Sequence, residues 1–287
     1  MKLAYIVYES DGEYSFADVE HNSVLEYLQQ KGFDAHKEAW ADKAVDWEQY
    51  QCIILKSPWD YVEKMNQFKQ WLDKIVSLNI QLLNPADIVL WNSDKHYLND
   101  IAGAGLKVIE TAFIEKGERF EPAKHFTSFN TGKLVVKPCI SGASKNTFVI
   151  TQDKMAAVET INSLLQHEAM MVQPFLSRIN EEGEWSMIFF GGQFSHALVK
   201  TPADGDFRSQ PQFGAVLSGR TPAPAVLKTA QEHVDKFAKG CLYARVDGLV
   251  IEGAFYLMEL ELIDPYLFLS VDEKGYQRYY EAVKRLV

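Results

Sequence analysis

The stretch Ala244-Arg245-Val246-Asp247-Gly248-Leu249-Val250-Ile251, then Glu252-Gly253-Ala254, then Phe255-Tyr256-Leu257-Met258-Glu259-Leu260-Glu261-Leu262-Ile263, decides how this chain is read. Two runs that alternate apolar and polar residues around a glycine turn have the pattern of a β-hairpin. A turn centred on Gly253 sets Asp247 opposite Glu259 and Arg245 opposite Glu261, and strand alternation puts all four charged side chains on one face. Val246, Val250, Met258, Leu260 and Leu262 then form the opposite, core-facing side. Carboxylates directly opposed on neighbouring strands repel, and a third two residues along adds to the repulsion. A divalent cation on Asp247, Glu259 and Glu261 resolves it. An all-oxygen set with no His or Cys nearby suits Mg²⁺ or Mn²⁺ rather than zinc, with substrate phosphates completing the shell. The competing reading is a solvated strand face on which Arg245 pairs with Glu261.

Working outward, Lys137 ends the apolar run Leu134-Val135-Val136 and precedes Pro138, which fixes it beside the loop Cys139-Ile140-Ser141-Gly142-Ala143-Ser144-Lys145-Asn146-Thr147. Small residues such as Ser141 and Gly142 let backbone N–H groups approach phosphates closely. Lys95, in Asn92-Ser93-Asp94-Lys95, offers a second positive charge. There is no G-x-x-x-x-G-K-[ST] pattern, and Gly103-Ala104-Gly105 ends a helix rather than opening one, so a P-loop and a dinucleotide fingerprint are both excluded.

The surrounding chain reads as α/β followed by α+β. Residues 3 to 8, 34 to 40 and 52 to 55 read as strands, and they alternate with amphipathic helices carrying Val24, Leu25 and Leu28, then Phe68, Trp71, Leu72, Ile75 and Val76. This is an open α/β sheet over residues 1–91. A second unit, 92–174, opens with a helix capped by Asn92 or Ser93 that runs through Ala104. It continues with strands at 108–114, 133–137, 147–151 and 170–173 and a helix over 153–166. The third unit, 175–287, holds a hairpin turning at Gly191-Gly192, a long loop over 201–222, a helix around 224–239, the carboxylate hairpin and a closing helix. Against thirty-nine acidic residues stand twenty-nine Lys and Arg, a formal charge of −10, which argues against nucleic acid and anionic membrane as partners. Three scattered cysteines without CxxC spacing fit a reducing cytoplasm, and no apolar run is long enough for a membrane span.

These motifs, in this order, resemble the ATP-grasp superfamily over roughly the last 195 residues, with a compatible pre-ATP-grasp α/β domain ahead of them. The resemblance implies ATP and Mg²⁺ (or Mn²⁺), with the triphosphate gripped by Lys95, Lys137, Ser141 and Gly142. Val172-Gln173-Pro174-Phe175-Leu176 resembles the hinge that holds adenine, which assigns Gln173, Phe175 and Leu176 to the nucleotide, and Glu184 looks like the ribose-binding acid. Arg245 resembles the Arg that D-alanine:D-alanine ligases turn on the tetrahedral intermediate. Lys200-Thr201-Pro202 and Gly205-Asp206-Phe207-Arg208 resemble the substrate-closing loop of glutathione synthetases and ribosomal-protein glutamate ligases, so Lys200 and Arg208 join Arg245 as candidate oxyanion stabilisers. Phe213 and Ala215 replace an Arg and a Gly of the glutamate ligases. Ser57-Pro58-Trp59-Asp60-Tyr61, Trp91-Asn92-Ser93-Asp94-Lys95 and Ser195-His196-Ala197 look closest to the cyclo-ligases of cycloserine biosynthesis.

The implied reaction activates a small-molecule carboxylate as an acyl phosphate and joins it to an amine, between molecules or by ring closure. The alternatives are an ATP-binding module without catalysis and a phosphotransferase that stops at the acyl phosphate. Trp59, Asp60 and Tyr61 follow the C-terminal end of a strand, where open α/β sheets present ligands, and are candidates for the acceptor site or for a packed turn. His196, among Trp185, Met187, Phe194 and Leu198, reads as a packed structural histidine. The sequence is compatible with a homodimer and leaves oligomeric state open.

Overall fold

A computed structural model describes residues 1–8, 15–142, 144–206 and 208–287 of the chain. Ala143 and Phe207, each inside a stretch read above as a ligand loop, lie outside the described residues.

Strand β1 (Lys2–Val7), helix α1 (Ser15–Gln30), β2 (Asp34–Ala39), β3 (Cys52–Ser57), α2 (Met65–Ser77) and β4 (Gln81–Leu83) build a four-stranded parallel sheet of order β2-β1-β3-β4. Its central strands are apolar on both faces because both are covered. Leu3, Tyr5, Val7 and Ile54 join one core with Val24 and Leu28 of α1, and Ala4, Ile6, Ile53 and Leu55 join another with Phe68, Trp71, Leu72 and Ile75 of α2. The first core continues into Ile188, Phe190, Tyr243 and Tyr279 from the far end of the chain, so the N-terminal sheet and the C-terminal unit share one interior.

Two short helices follow, α3 (Ala86–Asn92) and α4 (Tyr97–Gly103). The single helix expected through Ala104 is thus divided, and Asn92 ends α3 instead of capping a start. Its buried side-chain amide donates to Leu260 O at 2.7 Å and accepts from Leu262 N at 2.9 Å, which ties α3 to the carboxylate strand. Strand β5 (Ala112–Ile114), α5 (Pro122–Ser128), β6 (Lys133–Pro138), β7 (Phe148–Thr151), α6 (Val158–Leu164) and β8 (Met170–Pro174) form a second, antiparallel sheet of order β5-β8-β6-β7. The strand expected over 108–114 is shorter because its first half turns to the third sheet, where Val108 bridges Leu257 and Ile109 N donates to Leu257 O. The helix expected over 153–166 keeps only its central turns.

Helix α7 (Arg178–Glu181), β9 (Glu184–Phe190), β10 (Gln193–Thr201), β11 (Val216–Gly219), α8 (Pro224–Phe237), β12 (Tyr243–Ile251), β13 (Ala254–Glu261) and α9 (Gly275–Leu286) complete the chain. The third sheet has order β11-β10-β9-β12-β13. The stretch expected as a long loop over 201–222 therefore contains an edge strand, which pairs with β10 through Leu198↔Gly219 to Thr201↔Val216.

The β12–β13 hairpin reaches the expected charged register by another route. Glu252 and Gly253 both have positive φ, 52° and 78°, the type I′ geometry that matches strand twist. That turn pairs Ile251 with Ala254, and a bulge between Asp247 and Gly248 returns one residue, so that Asp247 faces Glu259 and Arg245 faces Glu261. The bulge also moves Met258 off the core face assigned to it above: Leu257 fills the core with Val246 and Leu260, while Met258 lines the cleft.

Candidate active site

A cleft of about 490 Å³ opens where the three sheets meet. Its floor is the charged face of β12 and β13. Asp247 is buried and its carboxylate is crowded with donors: Arg245 Nε at 3.0 and 3.1 Å, Arg245 Nη2 at 2.8 Å, Ser186 Oγ at 2.5 Å and Lys200 Nζ at 3.5 Å. Burial alone would raise its pKa, but Arg245 and Lys200 outweigh burial and hold the carboxyl below its usual range. Burial opposes ionisation of Glu259 too, yet the charges of Lys95 and Lys137 bring it down to about 2. Glu261 differs. Burial raises it to about 8, and the neighbouring charges of Asp247 and Glu259 add to the rise despite an ion pair with Arg245.

That imbalance tests the donor set for a metal. Three oxygen-donor side chains converge on one face, and the available cations leave one of them insufficiently compensated. A hard divalent cation fits this donor set and would offset the mutual repulsion of the three carboxylates.

The cations come from separate elements. Lys95, between α3 and α4, sits 3.0 Å from Glu259 and donates at 2.8 Å to Ser141 O, which links the carboxylate face to the loop after β6. Burial would lower Lys95, but the charge on Glu259 outweighs it and raises the pKa. Lys137 also lines the cleft, at the end of β6, and among the described residues its ammonium has no hydrogen bond or ion pair. Burial lowers its pKa accordingly. Ser141 and Gly142 lie along the same wall.

Gln173, Phe175 and Leu176 line the cleft at the end of β8, where the Gln173 amide donates to Thr111 Oγ1 at 2.9 Å and Phe175 N donates to Lys133 O at 2.9 Å. Glu184 begins β9, buried, with Lys200 Nζ at 2.9 Å and the Ser209 hydroxyl on its carboxylate. Lys200 therefore neutralises two buried acids at once. Arg208 borders the cleft but is bound by Asp206, with Nη2 to Oδ2 at 2.7 Å, and lies over the Phe213 ring.

Of the aromatic turn, Trp59 faces the site: it stacks on Tyr8 and its Nε1 donates to Asp264 O at 3.0 Å. Asp60 accepts from Trp40 Nε1 at 2.6 Å and Lys64 Nζ at 2.7 Å, and Tyr61 packs on Phe68. His196 is buried, but a bulge at Ser195 turns it toward Phe190, and its Nε2 donates to Leu267 O at 2.9 Å. Sequence reasoning missed the loop after β13, Asp264 to Phe268. The only local sign was the Asp264-Pro265 pair.

The model of the prokaryotic glutathione synthetase ATP-grasp domain matches residues 109–274, more than half of the chain, and the chain belongs to the ATP-grasp family. The model of the N-terminal domain of D-cycloserine synthetase DcsG matches residues 4–84. The cycloserine biosynthesis protein DcsG of Streptomyces lavendulae is 27% identical over 283 residues, covering 93% of each chain. The crystal structure of D-cycloserine synthetase DcsG superposes with a TM-score of 0.86 at 25% identity over the full length of both chains. A D-alanine–D-alanine ligase from Bacillus anthracis shares the fold, with a TM-score of 0.71 at 15% identity over 100% of this chain and 97% of that one. Family and fold make this chain an ATP-dependent, ADP-forming carboxylate–amine ligase. Among the described residues no helix is long and apolar enough to cross a membrane.

Proposed function

We propose that the cleft binds ATP with Mg²⁺, activates a small carboxylic acid as its acyl phosphate and transfers the acyl group to an amine. What carries the reading is Lys137, a cleft ammonium that among the described residues makes no ion pair or hydrogen bond, placed near a face on which three carboxylates converge. A bound metal triphosphate satisfies both. In this reading Lys95, Lys137, Ser141 and Gly142 hold the phosphates, Gln173, Phe175 and Leu176 the adenine, and Glu184 the ribose.

Asp247, Glu259 and Glu261 would hold the Mg²⁺, which supplies charge neutralisation for the phosphates. Lys95 and Lys137 orient the terminal phosphate for in-line attack by the substrate carboxylate, and ADP leaves. The amine then attacks the acyl carbon, and phosphate departs with the C–O electron pair. Arg245 is the best placed of the three candidate oxyanion donors. Four of its five N–H groups are taken by Asp247, Glu261 and Tyr266 O, which leaves one Nη1 hydrogen to donate. Lys200 pairs with Glu184 at 2.9 Å and helps hold the Asp247 carboxyl below its usual range, and Arg208 reaches substrate only if it releases Asp206. The likeness to the cycloserine biosynthesis protein extends the proposal to a cycloserine-like product. The N-terminal sheet would then supply part of the substrate site.

ADP release from Mg-ATP with a panel of carboxylic acids and amines is the test. Release that depends on both partners, and that is lost in Glu259→Gln, supports the ligase. Release without an amine, with acyl phosphate accumulating, would turn the reading to phosphotransfer.

A further inference from the structure

The loop after β13 is held more firmly than a connection requires. Ile263 O accepts from Tyr243 Oη at 2.5 Å, Asp264 O from Trp59 Nε1 at 3.0 Å, Pro265 O from Lys56 Nζ at 2.9 Å and Tyr266 O from Arg245 Nη1 at 2.9 Å. Leu267 N and Leu269 N donate to the two oxygens of Glu20 at 2.9 and 3.0 Å, and Leu267 O accepts from His196. Phe268 is held at a φ of 51°, a conformation that costs a non-glycine residue about 1 kcal/mol or more. Irregular backbone fixed by side chains from this many elements indicates that its side chains need defined positions. Leu267 and Leu269 go to the core, while Asp264, Tyr266 and Phe268 line the cleft.

Asp264 is set apart from the other acids of the cleft. Asp60, Glu63, Glu184, Asp247, Glu259 and Glu261 each have a lysine or arginine partner. Among the described residues the Asp264 carboxylate has neither a hydrogen bond nor an ion pair, although it is partly buried. The Trp59 indole bonds to its carbonyl, and Tyr8 stacks on Trp59 at 5.6 Å. A carboxylate that lacks a protein cation, in a cleft also lined by the aromatic side chains of Tyr8, Trp59 and Tyr266, is the chemistry that recognises a primary ammonium group.

We propose that Asp264, in the stretch of cleft also lined by Tyr8, Trp59 and Tyr266, is the subsite for the ammonium group of a small amino-acid-type substrate and determines the choice of that substrate. This rests on the ligase reading above. Asp264 stands three residues beyond Glu261 on a fixed loop, so a substrate anchored there reaches the phosphate end of the cleft. Burial pushes the Asp264 carboxyl up to about 6, as expected of an acid whose counter-charge arrives with a ligand.

The test measures ADP release from Mg-ATP with small amino acids of both hands, O-substituted serines included, each beside its deaminated acid. Wild type, Asp264→Asn and Asp264→Glu are compared. The wild-type chain should prefer an amino acid over its deaminated partner by tenfold or more in kcat/KM. In Asp264→Asn the KM for the amino acid should rise at least tenfold with the KM for ATP within twofold, and the preference for the amino group should collapse. Asp264→Glu should restore part of that preference, which a merely structural role would not do. An unchanged amino-acid KM in Asp264→Asn, or equal use of deaminated acids by wild type, overturns the subsite and leaves the ligase standing. If wild type releases no ADP with any acid, the ligase reading falls and the subsite with it.

Discussion

The Lys56 ammonium and the Glu20 carboxylate meet at 2.9 Å in the interior, with side chains 1% and 3% exposed, although both are far in sequence from the carboxylate hairpin. Between them they hold three backbone groups of the loop after β13. Removing one partner of a buried pair leaves the other charge uncompensated, at a cost of about 3–5 kcal/mol. Glu20→Gln should therefore lower unfolding stability in urea by about that amount. It should also weaken substrate use more than ATP binding, because the loop it holds borders the acceptor end.

Gly248 sits at the bulge that aligns the carboxylates. A Cβ there would lie 2.2 Å from Tyr256 O and 2.6 Å from the Phe255 ring, a clash with backbone as well as side chain. Gly248→Ala should cost about 1–3 kcal/mol by overpacking, and more if the hairpin slips. A slip of one residue moves Asp247 and Glu259 out of register, so ADP release should fall by tenfold or more even where circular dichroism shows a folded chain.

Lys137 contrasts with the paired cations. Burial outweighs the favourable charges of Glu259, Glu184 and Glu261 and lowers its pKa, so Lys137→Met should leave the thermal midpoint unchanged or raise it while the KM for ATP increases about tenfold or more. A loss of stability with unchanged ATP affinity would place Lys137 in the structural framework instead.

His21 makes acid stability measurable. Its ring is 1% exposed, Nδ1 lies 3.2 Å from Ser57 Oγ, and Nε2 is buried without a partner among the described residues. Burial, with Lys56 and Lys37 adding to it, lowers its pKa from 6.5 to about 2. Below the unfolded value the unfolded chain binds a proton that the folded chain refuses, so stability is full above about pH 6.5 and declines as the pH falls toward 2. The loss by pH 5 should be about 2 kcal/mol from this group. In urea titrations at pH 7 and pH 5, His21→Leu should flatten the difference by that amount.

The elements legible beforehand are those whose signal is local. The alternation in 244–251 and 255–263 and the glycine turn place Arg245, Asp247, Glu259 and Glu261 on one face because hairpin pairing joins residues close in sequence. The run Leu134-Val135-Val136 places Lys137 at a strand end for the same reason. The local pattern offers Asn92 or Ser93 as a helix cap and Met258 as a core residue. Both readings failed where a neighbouring element decided the outcome, β13 for Asn92 and the bulge for Met258.

The sequence by itself determined the strand–helix alternation that opens the chain, the charged face of the hairpin and the lysines that precede it, since side-chain period and turn chemistry depend on a few consecutive residues. Only the tertiary structure decided which acid receives which cation. It joined Lys56 to Pro265 across 209 residues and Glu20 to Leu267 across 247, and it left Asp264 without a protein partner among the described residues. Those outcomes depend on how separate sheets pack around a shared interior, and no local pattern encodes the distance between segments that far apart.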